Sequence, residues 1–226
     1  MSPHALLSAI TVCVLVLCAP RAASAQEFDI GSGGPPSMSG ARGGSVSGSA
    51  ATSQDLVVTA NLGDVSPANR NGVVKIVIPV AIRSTRPYQI TVSISEAFDA
   101  NPRAVRASDV GFGVLNLRTL GAGAQICTQS VHSFRAPFEN DPATGITLDP
   151  RGRASYPSAL SNVGVSTVIL SGPKLTLAVE GAPLLRAADN GYVFDAVLAI
   201  KPQFYAAGTF SVVLTFNISE GPEVPC

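Results

Sequence analysis

The segment "AAGTFSVVLTFNIS" at 206–219 places an apolar side chain at every second position: Phe210, Val212, Leu214, Phe216 and Ile218. Between them stand Thr209, Ser211, Thr215 and Asn217, with Val213 the apolar exception. Successive side chains of a strand point to opposite faces, so this pattern buries one face of a β-strand and wets the other. The same period returns in "VVKIVIPVAI" (73–82), where Val74, Ile76, Ile78, Val80 and Ile82 are in phase. It returns again in "PYQITVSIS" (87–95), with Tyr88, Ile90, Val92 and Ile94 inward. Pro79 has no N–H to give a ladder, so its strand lies at an edge or carries a bulge there. The four-residue link "RSTR" predicts that these two strands pair as antiparallel neighbours.

Further strands read at "DLVVTANL" (55–62), "VGFGVLNLRTL" (110–120), "VGVSTVILS" (163–171), "PKLTLAVEG" (173–181) and "YVFDAVLAIKP" (192–202), with a short one at "GITL". Beyond the first 25 residues, no window of a dozen residues carries a 3.6-residue period. Seven to nine strands without helical alternation predict an all-β fold, an antiparallel Ig-like sandwich over 55–226. Residues 96–109, with room for one helical turn, and 131–160 read as long connections.

The first 25 residues read as a secretory signal peptide. "ALLSAITVCVLVLCA" is an apolar run of 15 residues, and Ala23, Ser24 and Ala25 are the small residues of a cleavage site. The run is short for crossing about 30 Å of hydrocarbon, so no membrane span is expected after cleavage. Leu17 before Cys18 does not fit a lipoprotein site, and the run lacks the usual preceding Lys or Arg. Residues 31–53 hold seven Gly and seven Ser with few large apolar side chains. Such a composition cannot bury enough surface to offset ordering entropy, so 26–54 is expected to be a disordered linker.

The chain holds 15 Lys and Arg against 15 Asp and Glu, and losing Arg21 with the leader leaves 14 against 15. Without a basic run, neither nucleic acid nor an anionic membrane surface is an expected partner. Cys13 and Cys18 leave with the leader, so Cys127 and Cys226 remain. In an oxidising compartment two cysteines suggest one disulfide; free thiols and an intermolecular bridge from Cys226 are the alternatives.

Catalytic chemistry leaves few marks. His132, beside Ser133 and upstream of Asp141, has the residue types of a nucleophile–base–acid set, but no G-x-S-x-G turn accompanies it. Glu139, Asp141 and Asp149 lack the order of a calcium loop, and the one histidine left after the leader, His132, with two cysteines expected to be bridged does not make a zinc site. The glycine pairs at 111–113 and 121–123 read as turns or close packing. The chain has no Trp to serve as a sugar platform. No catalytic residue, metal or cofactor is expected.

The closing stretch also resembles the final strand of secreted bacterial fimbrial subunits and of spore-coat-protein-U-like domains. Ala207, Gly208, Thr209 and Phe210 match that motif, with Phe where Tyr is common, and "PYQITVSIS" is similar to an early strand of such subunits. Cys127 and Cys226 depart from the family's early cysteines. The resemblance implies an exported sandwich at the periplasm or cell surface, without an active site, that joins itself or other surface subunits by strand addition. The donor would be Leu56, Val58 and Ala60 of 55–62, and the acceptor the Pro79 strand or the final strand. A monomeric module binding a ligand through loops 96–109 and 131–160 is the competing expectation.

Overall fold

The computed structural model describes residues 27–40, 43–65, 72–96, 104–120, 127–175, 191–203 and 208–225. They form antiparallel β-sheets with three short 3₁₀ turns, at Ala107–Asp109, Gln129–Val131 and Leu160–Asn162. The strands are β1 (Phe28–Ser32), β2 (Ser37–Ser39), β3 (Ser45–Ala50), β4 (Asp55–Asp64), β5 (Val74–Ser84), β6 (Tyr88–Glu96) and β7 (Gly111–Leu120). After them come β8 (Ser133–Phe134), β9 (Thr147–Leu148), β10 (Ala154–Ser155), β11 (Thr167–Gly172), β12 (Gly191–Ile200) and β13 (Thr209–Glu220).

One sheet runs β1-β5-β12-β7, with β2 also on β5; a second runs β3-β4-β13-β6-β11-β8; β9 and β10 form a two-stranded ribbon. The alternation seen in the sequence has the expected result. Phe210, Val212, Leu214, Phe216 and Ile218 are all buried, as are Val74, Ile76, Ile78, Val80 and Ile82. Both sets belong to one apolar core to which the two large sheets contribute.

Three expectations are corrected. First, β5 and β6 do not pair: β5 lies between β12 and the β1/β2 edge, and β6 between β13 and β11. The in-phase apolar residues of β5 and β6 all pack in or against one core, so the short link between the strands passes from one sheet to the other instead of joining their edges. Second, neither the Pro79 strand nor the final strand is an edge. Pro79 is instead accommodated by a break: β1 ends opposite Val80, β2 resumes opposite Val77, and Gly33 N–H donates to the Pro79 carbonyl at 2.9 Å.

Third, much of the Gly/Ser-rich segment 26–54 is strand. Phe28 and Ile30 of β1 are 6% and 0% exposed. The glycines serve conformation and close approach: Gly40 and Gly43 have φ of +76° and +72°, and a Cβ at Gly33 would lie 2.7 Å from Val193 Cγ1.

The 131–160 connection is also bound down. Every residue of β12 is buried, on both faces. Val114 N–H donates to Phe138 O and Phe112 N–H to Ser158 O, so this connection covers the free edge of β7. The glycines of 111–113 are close-packing positions, since a Cβ at Gly113 would overlap the Asn140 carbonyl. Lys75 on β5 then reaches Asp141 at 2.5 Å. Interrupted only by Asp195, β12 has the near-continuous apolar run of a strand covered on both faces.

Candidate functional site

The expected donor residues Leu56, Val58 and Ala60 lie on β4, hydrogen-bonded between β3 and β13, and are 2%, 1% and 0% exposed. They fill the core of their own chain, so β4 is not a spare strand. The reason is visible in the register: Leu56 sits opposite Phe216 and Val58 opposite Leu214, two apolar faces in phase.

The N-terminal segment holds the outer positions instead. β1 and β2 run along one side of β5, with Ile30 opposite Ile82 and Met38 opposite Ile76. Asp29, opposite Arg83, is 2% exposed and receives the guanidinium Nη1 at 3.1 Å. A buried carboxylate without its cation would be costly, so this pair favours one register of β1 over a slip. Ile30 N–H donates across to Ser53 O, which ties β1 to the turn before β4.

Between these strands lies an apolar slot. Ser32, Gly34 and Pro36 line one side, Val46 and Gly48 of β3 the other, and Leu56, Val58, Ile78 and Pro79 the floor. Its volume is about 100 Å³, room for one aliphatic side chain. Gly48 is opposite Val58 on the core-facing side of β3, and a Cβ there would meet only Val58 Cγ2 at 3.4 Å and Val57 O at 3.8 Å. The slot is thus open where β3 lacks a side chain.

A second feature is a buried polar cluster at the other edge of the second sheet. The His132 ring packs against Tyr192 at 4.7 Å between centroids, the planes tilted by 55°, and its Nδ1 is 3.0 Å from the Tyr88 hydroxyl. Tyr192 Oη donates to the Cys127 carbonyl at 3.1 Å. His132 is 9% exposed, and its Nε2 has no hydrogen-bond partner among the described residues. Burial pushes the His132 pKa down to about 4, and burial followed by the nearby Tyr192 pushes the Tyr88 hydroxyl far above its ordinary value.

The residue types of a catalytic set are not brought together. Ser133 starts β8 opposite Ser171, His132 is engaged by Tyr88, and Asp141 is held by Lys75. Partial burial works against the Asp141 charge, but Lys75 and the Ala143 N–H outweigh it and hold the carboxyl below its ordinary range. Asp149 accepts from the Arg151 and Arg153 amides within its own turn. No group of three metal-ligating side chains occurs among the described residues.

Cys127 is 6% exposed; Cys226 lies outside the described residues. The signal peptide also lies outside them, as do 97–103 of the first expected ligand loop. Sequence reasoning missed β1, β2 and β3. Alternation at Phe28 and Ile30 is too brief to register beside so much glycine. Compared with protein-family models, with curated proteins and with solved structures, the chain has no significant match in any of the three.

Proposed function

We propose that the chain is a non-catalytic, secreted structural or adhesion protein of a bacterial surface. In this reading the two sheets make an antiparallel Ig-like sandwich, and subunits associate as fimbrial types do, by strand addition. One observation carries it: an N-terminal strand lies on the flank of β5 with Phe28 and Ile30 sealed in the core. The same main-chain ladder and the same pockets would accept that strand from a neighbour, since strand addition draws affinity from backbone hydrogen bonds and register from alternate side chains. The role first expected of β4 therefore passes to β1 and β2.

The expected bridge from Cys127 to Cys226 fits this reading. Glu220 is opposite Tyr88, and Gly221 N–H donates to Pro87 O, so the tail leaves β13 beside Tyr88. Tyr88 contacts His132, His132 packs against Tyr192, and Tyr192 donates to the Cys127 carbonyl. A bond there would fasten the C-terminus and leave the N-terminal strand as the exchangeable end.

Gly31 and Ala81 are direct partners across β1 and β5, and a Cβ at Gly31 meets nothing within 4 Å. The double variant Gly31→Cys, Ala81→Cys, oxidised mildly after concentration, should give a ladder of covalent oligomers on a non-reducing gel. Monomers cross-linked only within themselves would sink strand exchange. The loops 96–109 and 131–160 of a monomeric ligand-binding module would then carry the function.

A further inference from the structure

The outer edge of β3 has the properties of a self-association site, independent of the exchange of β1. β3 (Ser45–Ala50) is the first strand of its sheet, and no described segment pairs with its far side. Natural edge strands are normally blunted by lysine, proline or a bulge, because a bare row of N–H and C=O groups recruits other strands. β3 has none of these. Its sequence, SVSGSA, is uncharged, its register with β4 is unbroken, and residues 43–54 contain no charged side chain.

The ladder fixes which groups face outward. Ala51 N–H donates to Asp55 O, which continues the β3–β4 register from Ala50 opposite Leu56. In an antiparallel pair, hydrogen-bonded positions alternate, so the odd residues of β3 point their main-chain groups at β4. Val46, Gly48 and Ala50 therefore point theirs away from the sheet. Their side-chain positions face the core, opposite buried Ala60, Val58 and Leu56.

We infer that two copies of this chain pair antiparallel through β3, about a two-fold axis at Ser47, with Val46 of each copy seated in the slot beside Gly48 of the other. That register sets residue 46 opposite residue 48, two positions whose free N–H and C=O groups both face the partner. It is self-complementary, as a closed two-fold contact requires. Half-buried Val46 and vacant Gly48 are then reciprocal, a side chain of the right size beside a slot of about 100 Å³. The partner is a second copy because the edge supplies both the knob and the hole, and because two uncharged edges meet without repulsion. The exposed odd residues Ser45, Ser47 and Ser49 form the solvent face of the joined sheet.

The register makes a sharp test. Ser47 would face its own counterpart in the non-hydrogen-bonded geometry, where Cα atoms lie about 4.5 Å apart. Ser45 would face Ser49 instead. Under mild oxidation, full-length Ser47→Cys should give covalent dimers about tenfold faster than Ser45→Cys or Ser49→Cys, the spacing being near that of a disulfide. Ser47→Lys, whose side chain projects to solvent, should weaken dimerisation in sedimentation velocity by about tenfold or more, since like charges directly opposite repel. Gly48→Val should weaken it too, by filling the slot from within.

Equal cross-linking at 45, 47 and 49 would overturn the inference, and so would a wild-type chain that stays monomeric as concentration rises. Association that Ser47→Lys leaves unchanged would also overturn it, and would leave the β1–β5 cross-link as the separate test of strand exchange.

Discussion

At the scale of single residues, the most consequential side chain is His132. Its imidazole lies between Tyr88 and Tyr192, and a Cβ at Gly172 would overlap its ring, so the ring is closely packed and largely withdrawn from water. The folded chain holds His132 near pKa 4, whereas an exposed histidine titrates near 6.5. As pH falls below 6.5 the unfolded chain takes up the proton first, so stability present above that pH is lost progressively towards 4. Allowing for residual solvent screening, urea unfolding should show a loss of about 1 to 2 kcal/mol between pH 7.5 and pH 5. His132→Gln should lack most of that loss; a wild-type profile flat over the interval would contradict the description of this site. Among the described residues the buried carboxylates have cations or donors beside them, as such groups must: Asp109 accepts from Arg153, and Asp195 accepts from Asn116 and lies 2.9 Å from the Arg118 guanidinium as an ion pair.

At the scale of elements, long alternating strands were legible and short interrupted ones were not. β5, β6 and β13 each carry at least three in-phase apolar residues, enough for their period to stand out from composition. β1 carries Phe28 and Ile30, and β2 has Met38, so nothing local distinguishes them from tether. They are strands because β5 offers a ladder and a core face, a tertiary effect that outweighs their glycine content. Partner choice was equally hidden: a four-residue link suits a hairpin, but it also suits a crossing between sheets, and the link after β5 makes the crossing. Ile30→Ala tests whether β1 belongs to the folded unit. With Ile30 fully buried, the substitution should cost about 2 to 4 kcal/mol by urea denaturation. A cost under about 0.5 kcal/mol, typical of a surface change, would mean that β1 is a tether after all.

At the scale of the whole molecule, the all-β architecture was readable from period alone, whereas the edges that govern association were not. The donor expected at Leu56, Val58 and Ala60 has the right alternation, but only the fold shows that β13 uses it. The Cys127–Cys226 bridge would close about 100 residues, and its loss in Cys226→Ser should lower stability by about 4 kcal/mol in the chain-entropy picture. Urea midpoints with and without reductant check this: the reductant should shift wild type and leave the variant unmoved, and equal midpoints throughout would rule the bridge out. The strand order has a temporal side as well. β4 lies against β13, and β5 against β12, so each large sheet joins early residues to late ones. Pairings so distant along the chain form slowly, because the intervening loop must close first. A chain delivered from its N-terminus therefore waits, with β4 and β6 bare on facing edges, until 209–220 arrives between them. A truncation just ahead of Thr209 takes away the middle of the second sheet rather than its rim, and parts β4 from β6 with nothing to join them.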